Sequence, residues 1–414
     1  MKFLNKKLTT CVISAGGEGT RLKSITNGVP KPLFPIDGKS CLERSIDKIQ
    51  GFGLKNIFIL TCYKKNLIID AIKKYNNNKD LNIKVIEEIF PLGECGGLWL
   101  LKNELRDEIF FINADLVWDI DIKRFLNFHV EHKSEVTFLT HTCTHPKDSD
   151  LISEGINKQI VNYSLKPHKD LLQEMFLGNS GIALFNSNIL DKIDNPVNKP
   201  SFCNHILNNF EKSNVKVFSY NTTEFVKDVG TPKRFYEVEK TLKQGLVNPK
   251  SYINKQKCLF IDRDNTIISC PKDKYITNKN QVKLLEKNII KIARKTKEYD
   301  FTIIVTNQPQ ISMGLVSWDD VIEINSLIIQ ECLNLGLKID GFTLCPHHEN
   351  LGFEGEIRLL KQDCFCRKPR PGMFLKEAYY RNIDLKKSLM IGDSEIDKVA
   401  SARAGCSYLD VKKL

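Results

Sequence analysis

The sequence predicts two α/β domains in tandem, each a mostly parallel sheet covered by helices. Three observations predict it. The chain has 414 residues, room for two or three domains at roughly 150 residues each. Short β-branched apolar runs alternate with helical stretches along most of its length. The alternation breaks at Gly245-Leu246-Val247-Asn248-Pro249-Lys250-Ser251, which reads as a linker, and restarts at Lys257. The expected division is 1–245, a linker at 246–256, and 257–414.

Each element has its local reason. In the first domain, runs rich in Val, Ile, Phe and Thr predict strands at 10–15, 56–60, 83–86, 109–113 and 136–140. Apolar residues at helical spacing predict helices at 42–50 and 67–75, with a closing helix at 235–244. In the second, strands are expected at 257–261, 301–306 and 389–391, with a helix over 282–297 among the intervening ones. No internal repeat or low-complexity tract is visible.

Composition narrows the function. Apolar residues are 42% and charged residues 27% of the chain, which excludes a disordered chain and a collagen-like repeat. No stretch approaches the roughly 18 uninterrupted apolar residues of a membrane helix. Lys6 and Lys7 precede a short apolar run that Gly16-Gly17-Glu18 cuts off, so a buried first strand is expected rather than a signal peptide. The charge is +11, mostly from scattered lysines, which suits phosphorylated metabolites better than nucleic acid. Ten of the 13 cysteines stand singly, as in a reduced, cytoplasmic protein. The sequence leaves a homo-oligomer open.

Ala15-Gly16-Gly17-Glu18-Gly19-Thr20-Arg21-Leu22 directly follows the first strand. Such a turn brings backbone N–H groups close to a phosphate, and Arg21 adds a cation; alone it could equally be a tight turn. Pro30-Lys31-Pro32-Leu33 then holds a lysine in a rigid extended segment. With that continuation the segment resembles the signature of the sugar-1-phosphate nucleotidyltransferases. Pro91-Leu92-Gly93-Glu94-Cys95-Gly96-Gly97, the strand end at Asp115, Leu165-Lys166-Pro167, Asn179-Ser180-Gly181-Ile182 and Lys227-Asp228-Val229-Gly230-Thr231-Pro232 resemble further family segments in order.

The resemblance implies attack of a sugar phosphate oxygen on the α-phosphorus of a nucleoside triphosphate, with pyrophosphate leaving. Such chemistry is mainly positioning and charge neutralisation. Asp115 and Asp228 would hold Mg²⁺, while Arg21 and Lys31 neutralise the triphosphate. Ala15, Gly16, Gly17, Gly19, Thr20, Glu94 and Gly96 would form the nucleotide site, and Lys166, Asn179 and Gly181 the sugar-phosphate site. Glu94 stands where the family has Thr, and Leu165 where it often has Glu. A carboxylate at 94 suits guanine, whose N1–H and N2–H₂ are donors, and GTP is the expected co-substrate, with ATP the second choice.

Phe260-Ile261-Asp262-Arg263-Asp264-Asn265-Thr266 ends a strand with two carboxylates two residues apart. Val305-Thr306-Asn307-Gln308, Arg367-Lys368-Pro369 and Ile391-Gly392-Asp393-Ser394-Glu395-Ile396-Asp397 follow. These four motifs, in this order, resemble the haloacid dehalogenase superfamily and imply an aspartyl-phosphate mechanism. Asp262 would be the nucleophile and Asp264 the acid and base. Thr306 and Lys368 would stabilise the phosphoryl group, and Asn307 and Arg367 bind the sugar phosphate. Mg²⁺ would be held by Asp262, Asp393 and the Asp264 carbonyl, with Asp397 in support. Asn265 replaces the usual Gly, a residue type that tolerates left-handed geometry.

Cys345, His347, Cys364 and Cys366 have the composition of a closed tetrahedral, structural Zn²⁺ site. His348 is the alternative fourth ligand. This loop over 345–366, running into Arg367-Lys368-Pro369, resembles D-glycero-D-manno-heptose 1,7-bisphosphate 7-phosphatases and their histidinol phosphate phosphatase relatives. Gln308-Pro309-Gln310-Ile311-Ser312-Met313-Gly314 departs from that family's Gln-Ser-Gly-Ile-Ala-Arg-Gly. The fusion implies consecutive steps on one heptose, giving GDP-D-glycero-α-D-manno-heptose for surface polysaccharide. The other readings are the same chemistries on another sugar phosphate, a histidinol phosphate-type phosphatase, or a binding protein.

Overall fold

A computed structural model describes residues 8–17, 19–75, 81–143, 149–155, 157–166, 168, 177–270 and 275–414. Lys6, Lys7, Glu18 and Pro167 of the motifs above lie outside them. Among the described residues no helix is long and apolar enough to cross a membrane.

The first sheet has nine strands. At its centre Thr10–Ser14 lies parallel between Asn56–Thr61 and Glu108–Asn113, and Asn82–Glu87 extends it in parallel. Leu177–Asn186 then runs antiparallel to both Glu108–Asn113 and Val136–Thr142. The sheet is therefore mixed, not mostly parallel: Leu177–Asn186 enters from the opposite end and pairs with three strands. Its central strands are buried on both faces, which is why they read as continuous apolar runs. Cys11 and Ile13 pack into one core layer with Ile57, Ile59, Phe110 and Ile112. Val12 packs into the opposite layer with Phe58, Leu60 and Phe111, as the two-residue alternation of a strand requires.

The helices start where their caps place them. Ser40 caps Cys41–Gly51 through a reciprocal box with Glu43, and Leu42, Ile46 and Ile49 form its buried stripe. Thr231 caps Pro232–Lys243, with Pro232 at the tolerant first turn. The helix expected over 67–75 runs over Lys65–Ile72 and tightens to a 3₁₀ turn at Lys73–Tyr75.

The second sheet has five strands, all parallel. Cys258–Ile261 is central, with Phe301–Asn307 and Gly341–Cys345 on one side and Leu389–Gly392 and Ser407–Asp410 on the other. The helix expected over 282–297 is shorter, Glu286–Lys295. Leu284 instead makes an antiparallel bridge to Ile268, which keeps 282–285 extended.

The segment expected as a linker is docked. Ser251, Tyr252 and Gln256 are buried. The Tyr252 hydroxyl accepts from the Thr223 N–H at 3.0 Å on one side and from Arg381 Nη1 at 2.9 Å on the other.

Candidate active sites

Both candidate sites lie at the carboxyl ends of central parallel strands, where neighbouring connections diverge to opposite sides and open a crevice. In the first sheet Ser14 ends between Thr61 and Asn113, and the glycine loop starts there. A cavity of about 380 Å³ opens above it, lined by Ala15, Gly16, Gly17, Gly19, Thr20, Arg21, Lys31, Glu94 and Asp115 among others.

Gly19 has φ 63°, and a Cβ there would stand 2.9 Å from the Lys31 Cβ; the bare backbone lets the lysine segment close over the loop. Lys31 Nζ pairs with the Asp115 carboxylate. Asp228 comes beside Asp115 through an antiparallel ribbon in which Asp228 pairs with Leu116 and the Val229 N–H donates to the Asp115 carbonyl at 3.0 Å. Gly230 marks the convergence. A Cβ on it would meet Asp228 Oδ1 at 2.5 Å, Lys31 Nζ at 3.4 Å and Arg21 Nη2 at 3.5 Å.

Asp228 is further fixed by Arg234 Nη1, at 3.0 and 3.1 Å from its two oxygens, and by the Gly230 N–H at 2.8 Å. Burial pushes its carboxyl up, but Arg234 and these donors hold it below the ordinary value. Glu94 accepts from Asn113 Nδ2 and from the Phe202 N–H at 3.0 Å, and burial raises its carboxyl. It also borders a small recess with Asn179 and Gly181. Both Glu94 oxygens are thus already engaged by the protein, which the sequence did not reveal.

Two residues fall elsewhere. Gly96 opens the helix Gly96–Leu100 and is buried against Leu92, not on the cavity wall. Lys166 is exposed and its N–H donates to Asp150 Oδ1 at 3.2 Å; it does not line the cavity. Sequence reading missed Arg234, Lys199 and Glu88. The last two line the cavity, and Glu88 Oε2 accepts from the Leu92 N–H at 2.9 Å.

In the second sheet Asp262 and Asp393 immediately follow two strands and Thr306 is the penultimate residue of a third, adjacent one, with Ile261 in register with Ile304 and Ile391. Lys368 reaches in from the side. Its Nζ donates to Asp262 Oδ1 and Asp397 Oδ1 at 2.5 Å each and to the Val305 carbonyl at 2.8 Å. Burial pushes the ammonium down, but the two carboxylates outweigh it and its pKa ends above the ordinary lysine value. Burial raises the Asp262 carboxyl, against the pull of Lys368.

Asp262, Asp393 and Asp397 each bring a carboxylate oxygen within 4.8 Å of the others. Asp397, read from sequence as support, is therefore part of the acidic cluster; Ser394 Oγ holds its other oxygen at 2.6 Å. Asn265 adopts φ 57°, the left-handed conformation its residue type tolerates, and its N–H donates to the Ile268 carbonyl at 2.7 Å.

Asp264 is gripped from two directions. Arg263, fully buried, places Nη2 2.9 and 3.1 Å from its two oxygens, and Gln308 Nε2 donates to Oδ2 at 3.0 Å. Thr306 Oγ1 accepts from the same Gln308 amide at 2.8 Å. Asn307, expected at the sugar phosphate, instead clasps the Lys368 backbone with two 3.0 Å hydrogen bonds. Arg367 donates to the His347 carbonyl at 3.1 Å, tying the cysteine loop to this site.

Cys345, His347, Cys364 and Cys366 form one cluster. Separations of 3.2–3.5 Å link Cys345, Cys364, Cys366 and His347 Nδ1. That approaches the spacing around a tetrahedral zinc with bonds of about 2.3 Å, and the soft donor set suits the metal. His348 stands aside: its Nδ1 accepts from the Asn350 N–H at 3.2 Å, so of the two histidines His347 belongs to the cluster. None of the 13 cysteines, all among the described residues, is joined in a disulfide bond.

Two family models match the chain. Residues 10–245 match the family described as nucleotidyl transferase, and residues 257–410 the family described as polynucleotide kinase 3 phosphatase. The mannose-1-phosphate guanyltransferase of Pichia angusta is 27% identical over 232 residues, 54% of this chain and 61% of its own. The mannose-1-phosphate guanylyltransferase catalytic subunit beta of Dictyostelium discoideum is 28% identical over 230 residues, 54% of this chain and 62% of its own. The chain thus spans about three fifths of the length of these curated relatives. The crystal structure of HddC from Yersinia pseudotuberculosis complexed with GMP-PN covers 57% of this chain and 100% of its own, at 24% identity and a TM-score of 0.48. The chain belongs to the nucleotidyl transferase family and carries a HAD-like phosphatase domain behind it.

Proposed function

We propose that the protein is a bifunctional heptose 1,7-bisphosphate 7-phosphatase and heptose 1-phosphate guanylyltransferase. The observation that carries it is the pairing, on one chain, of the Arg21–Lys31–Asp115–Asp228 convergence with the Asp262–Lys368–Asp393 centre beside a zinc-type loop. The two chemistries are consecutive on one sugar: the first removes the 7-phosphate, and the second couples the remaining 1-phosphate to a nucleotide. The curated relatives, named as guanylyltransferases, support GTP.

Each site's residues have a task. In the transferase, the glycine loop and Arg21 hold the triphosphate while Lys31 neutralises it. Asp115 and Asp228, hard oxygen donors side by side, would hold Mg²⁺. In the phosphatase, Asp262 attacks phosphorus and Asp264 passes a proton to the departing oxygen, then takes one from water. Asp262 and Asp393 offer the carboxylates for Mg²⁺, which when bound offsets phosphoryl charge. Lys368 fixes the Asp262 carboxylate, and the loop over 345–366 would hold a structural Zn²⁺ that braces Arg367 and Lys368.

The test supplies both anomers of heptose 1,7-bisphosphate, Mg²⁺ and four nucleoside triphosphates in equal amounts, and reads products by mass spectrometry. GDP-heptose with released phosphate and pyrophosphate is expected. Heptose 1-phosphate without a nucleotide sugar refutes the transferase substrate, and untouched bisphosphate refutes the heptose reading. The mannose-1-phosphate relatives favour one second reading, the same transfer on a hexose 1-phosphate. Mannose 1-phosphate with GTP is its control. A 3′-phosphorylated oligonucleotide checks the substrate that the name of the second family suggests.

A further inference from the structure

We propose that Gln310, acting through Gln308, is a positioning residue that aims the Asp264 carboxyl at the leaving-group oxygen. The inference rests on the aspartyl-phosphatase reading of Asp262 and deepens it. Gln310 stands where the resembled phosphatases have Gly, so its side chain is this chain's own addition.

Both amides are buried: Gln308 is 0% and Gln310 1% exposed. Gln310 Nε2 lies 2.6 Å from Gln308 Oε1 and 3.4 Å from the Ile276 carbonyl. Both neighbours are acceptors, so the donor end of Gln310 must face them. That fixes Gln308 in turn, because its oxygen is taken by Gln310. Its Nε2 then faces three acceptors, Asp264 Oδ2 at 3.0 Å, Thr306 Oγ1 at 2.8 Å and the Asn307 carbonyl at 3.1 Å. Both ends of the Gln308 amide are therefore held, the oxygen by Gln310 and the nitrogen by Asp264 and the Asn307 carbonyl. Among the described residues Gln310 Oε1, buried, has no hydrogen-bond partner, a cost that a pure packing residue would not bring. Arg263 grips Asp264 through both oxygens and is anchored by Asn325 Oδ1 at 3.0 Å. Arg263 holds both oxygens from one side, and the Gln308 amide adds a donor to Oδ2 from a second direction.

In the step concerned, an Asp262 oxygen forms a bond to phosphorus and the bond from phosphorus to the ester oxygen breaks. The Asp264 carboxyl proton passes to that oxygen, leaving an aspartyl phosphate, an alcohol and the Asp264 carboxylate. An aimed acid matters only where the leaving group needs a proton. 4-Nitrophenolate leaves without one; phenolate and benzyl alkoxide gain progressively more from it.

The experiment compares wild type with Gln310→Met, which keeps the bulk and removes the donor. It reads kcat/KM for 4-nitrophenyl, phenyl and benzyl phosphate, because kcat/KM reports the step in which the leaving group departs. The expected result is a change within about threefold on 4-nitrophenyl phosphate and a loss of about tenfold or more toward the poorer leaving groups. An equal loss on all three esters, as from a merely structural defect, overturns the inference. So does a wild-type dependence on leaving group already as steep as the variant's. If Gln310→Met does not fold, Gln310→Gly, the residue of the resembled family, is read the same way. A wild type that turns over none of the esters overturns the phosphatase reading itself, which is a distinguishable failure.

Discussion

Glu224 couples the stability of the protein to pH, and Glu224→Gln isolates the effect. The residue is 5% exposed and sits where the first sheet meets the docked segment around Tyr252. Its Oε1 accepts from the Asp121 N–H at 2.6 Å and the Tyr252 N–H at 2.8 Å, and Oε2 from the Thr222 hydroxyl at 3.0 Å. Burial still dominates those bonds and pushes the carboxyl from an ordinary 4.5 to about 8. A carboxyl raised on folding is protonated in the fold at pH values where the unfolded chain has ionised. Its stabilising contribution is complete below about pH 4.5 and is lost as pH rises through about 8. At 1.36 kcal/mol per pH unit, the gap from 4.5 to about 8 sets an upper limit of about 5 kcal/mol. Glutamine copies the protonated form: its oxygen keeps the two backbone donors, and its amide can donate to Thr222 Oγ1. The variant should match wild type within about 1 kcal/mol at pH 5 and exceed it by several kcal/mol, up to about 5, at pH 9. Urea unfolding between these values, followed by tryptophan fluorescence, measures the difference. Parallel stability curves for the two proteins would falsify the reasoning.

Other perturbations separate the two sites. Lys368→Met removes the only donor shared by Asp262 and Asp397 among the described residues; aryl phosphate hydrolysis should fall by about 10²–10³ while pyrophosphorolysis of a nucleotide sugar is unchanged. Asp115→Asn removes a carboxylate from the Lys31 pair and should give the converse, a transferase loss of about 10²-fold or more with aryl phosphatase intact; loss of both activities together would count against two independent centres. Purified protein should carry one zinc per chain by atomic emission, and Cys366→Ser should abolish it and lower the unfolding midpoint. Zinc retained at full stoichiometry in that variant would remove Cys366 from the ligand set.

Much of this was legible in the sequence because the chemistry-bearing residues are contiguous with strand ends. Asp115, Asp262, Thr306 and Asp393 each lie within one or two residues of a buried apolar run, and a strand that stops at a crevice delivers its next side chain there. The same rule explains where the Asn307 side chain turns. Successive side chains on a strand point to opposite faces; Thr306 turns to Gln308, so its neighbour turns to the Lys368 backbone. The mixed order of the first sheet was not legible, because nothing local to Leu177–Asn186 records its direction.

What escaped the sequence was mostly the partners of the motif residues. Arg263 stands inside a motif, yet its role depends on Asn325, 62 positions away. Arg234 looks like an ordinary helix-surface residue until the cap at Thr231 turns it back onto Asp228. Lys199 and Glu88 reach the nucleotide cavity from separate connections. The linker shows the same limit from the other direction. Gly245 and Pro249 announced a break in secondary structure, and turn chemistry is all that such residues report. Whether the segment swings free or docks is decided by Tyr252, whose hydroxyl bonds Thr223 and Arg381 at once. A residue that satisfies both neighbours through one buried atom cannot be released by either without leaving a polar group unpaired. The connection between the two sheets is therefore held by hydrogen bonding at Tyr252 and Glu224.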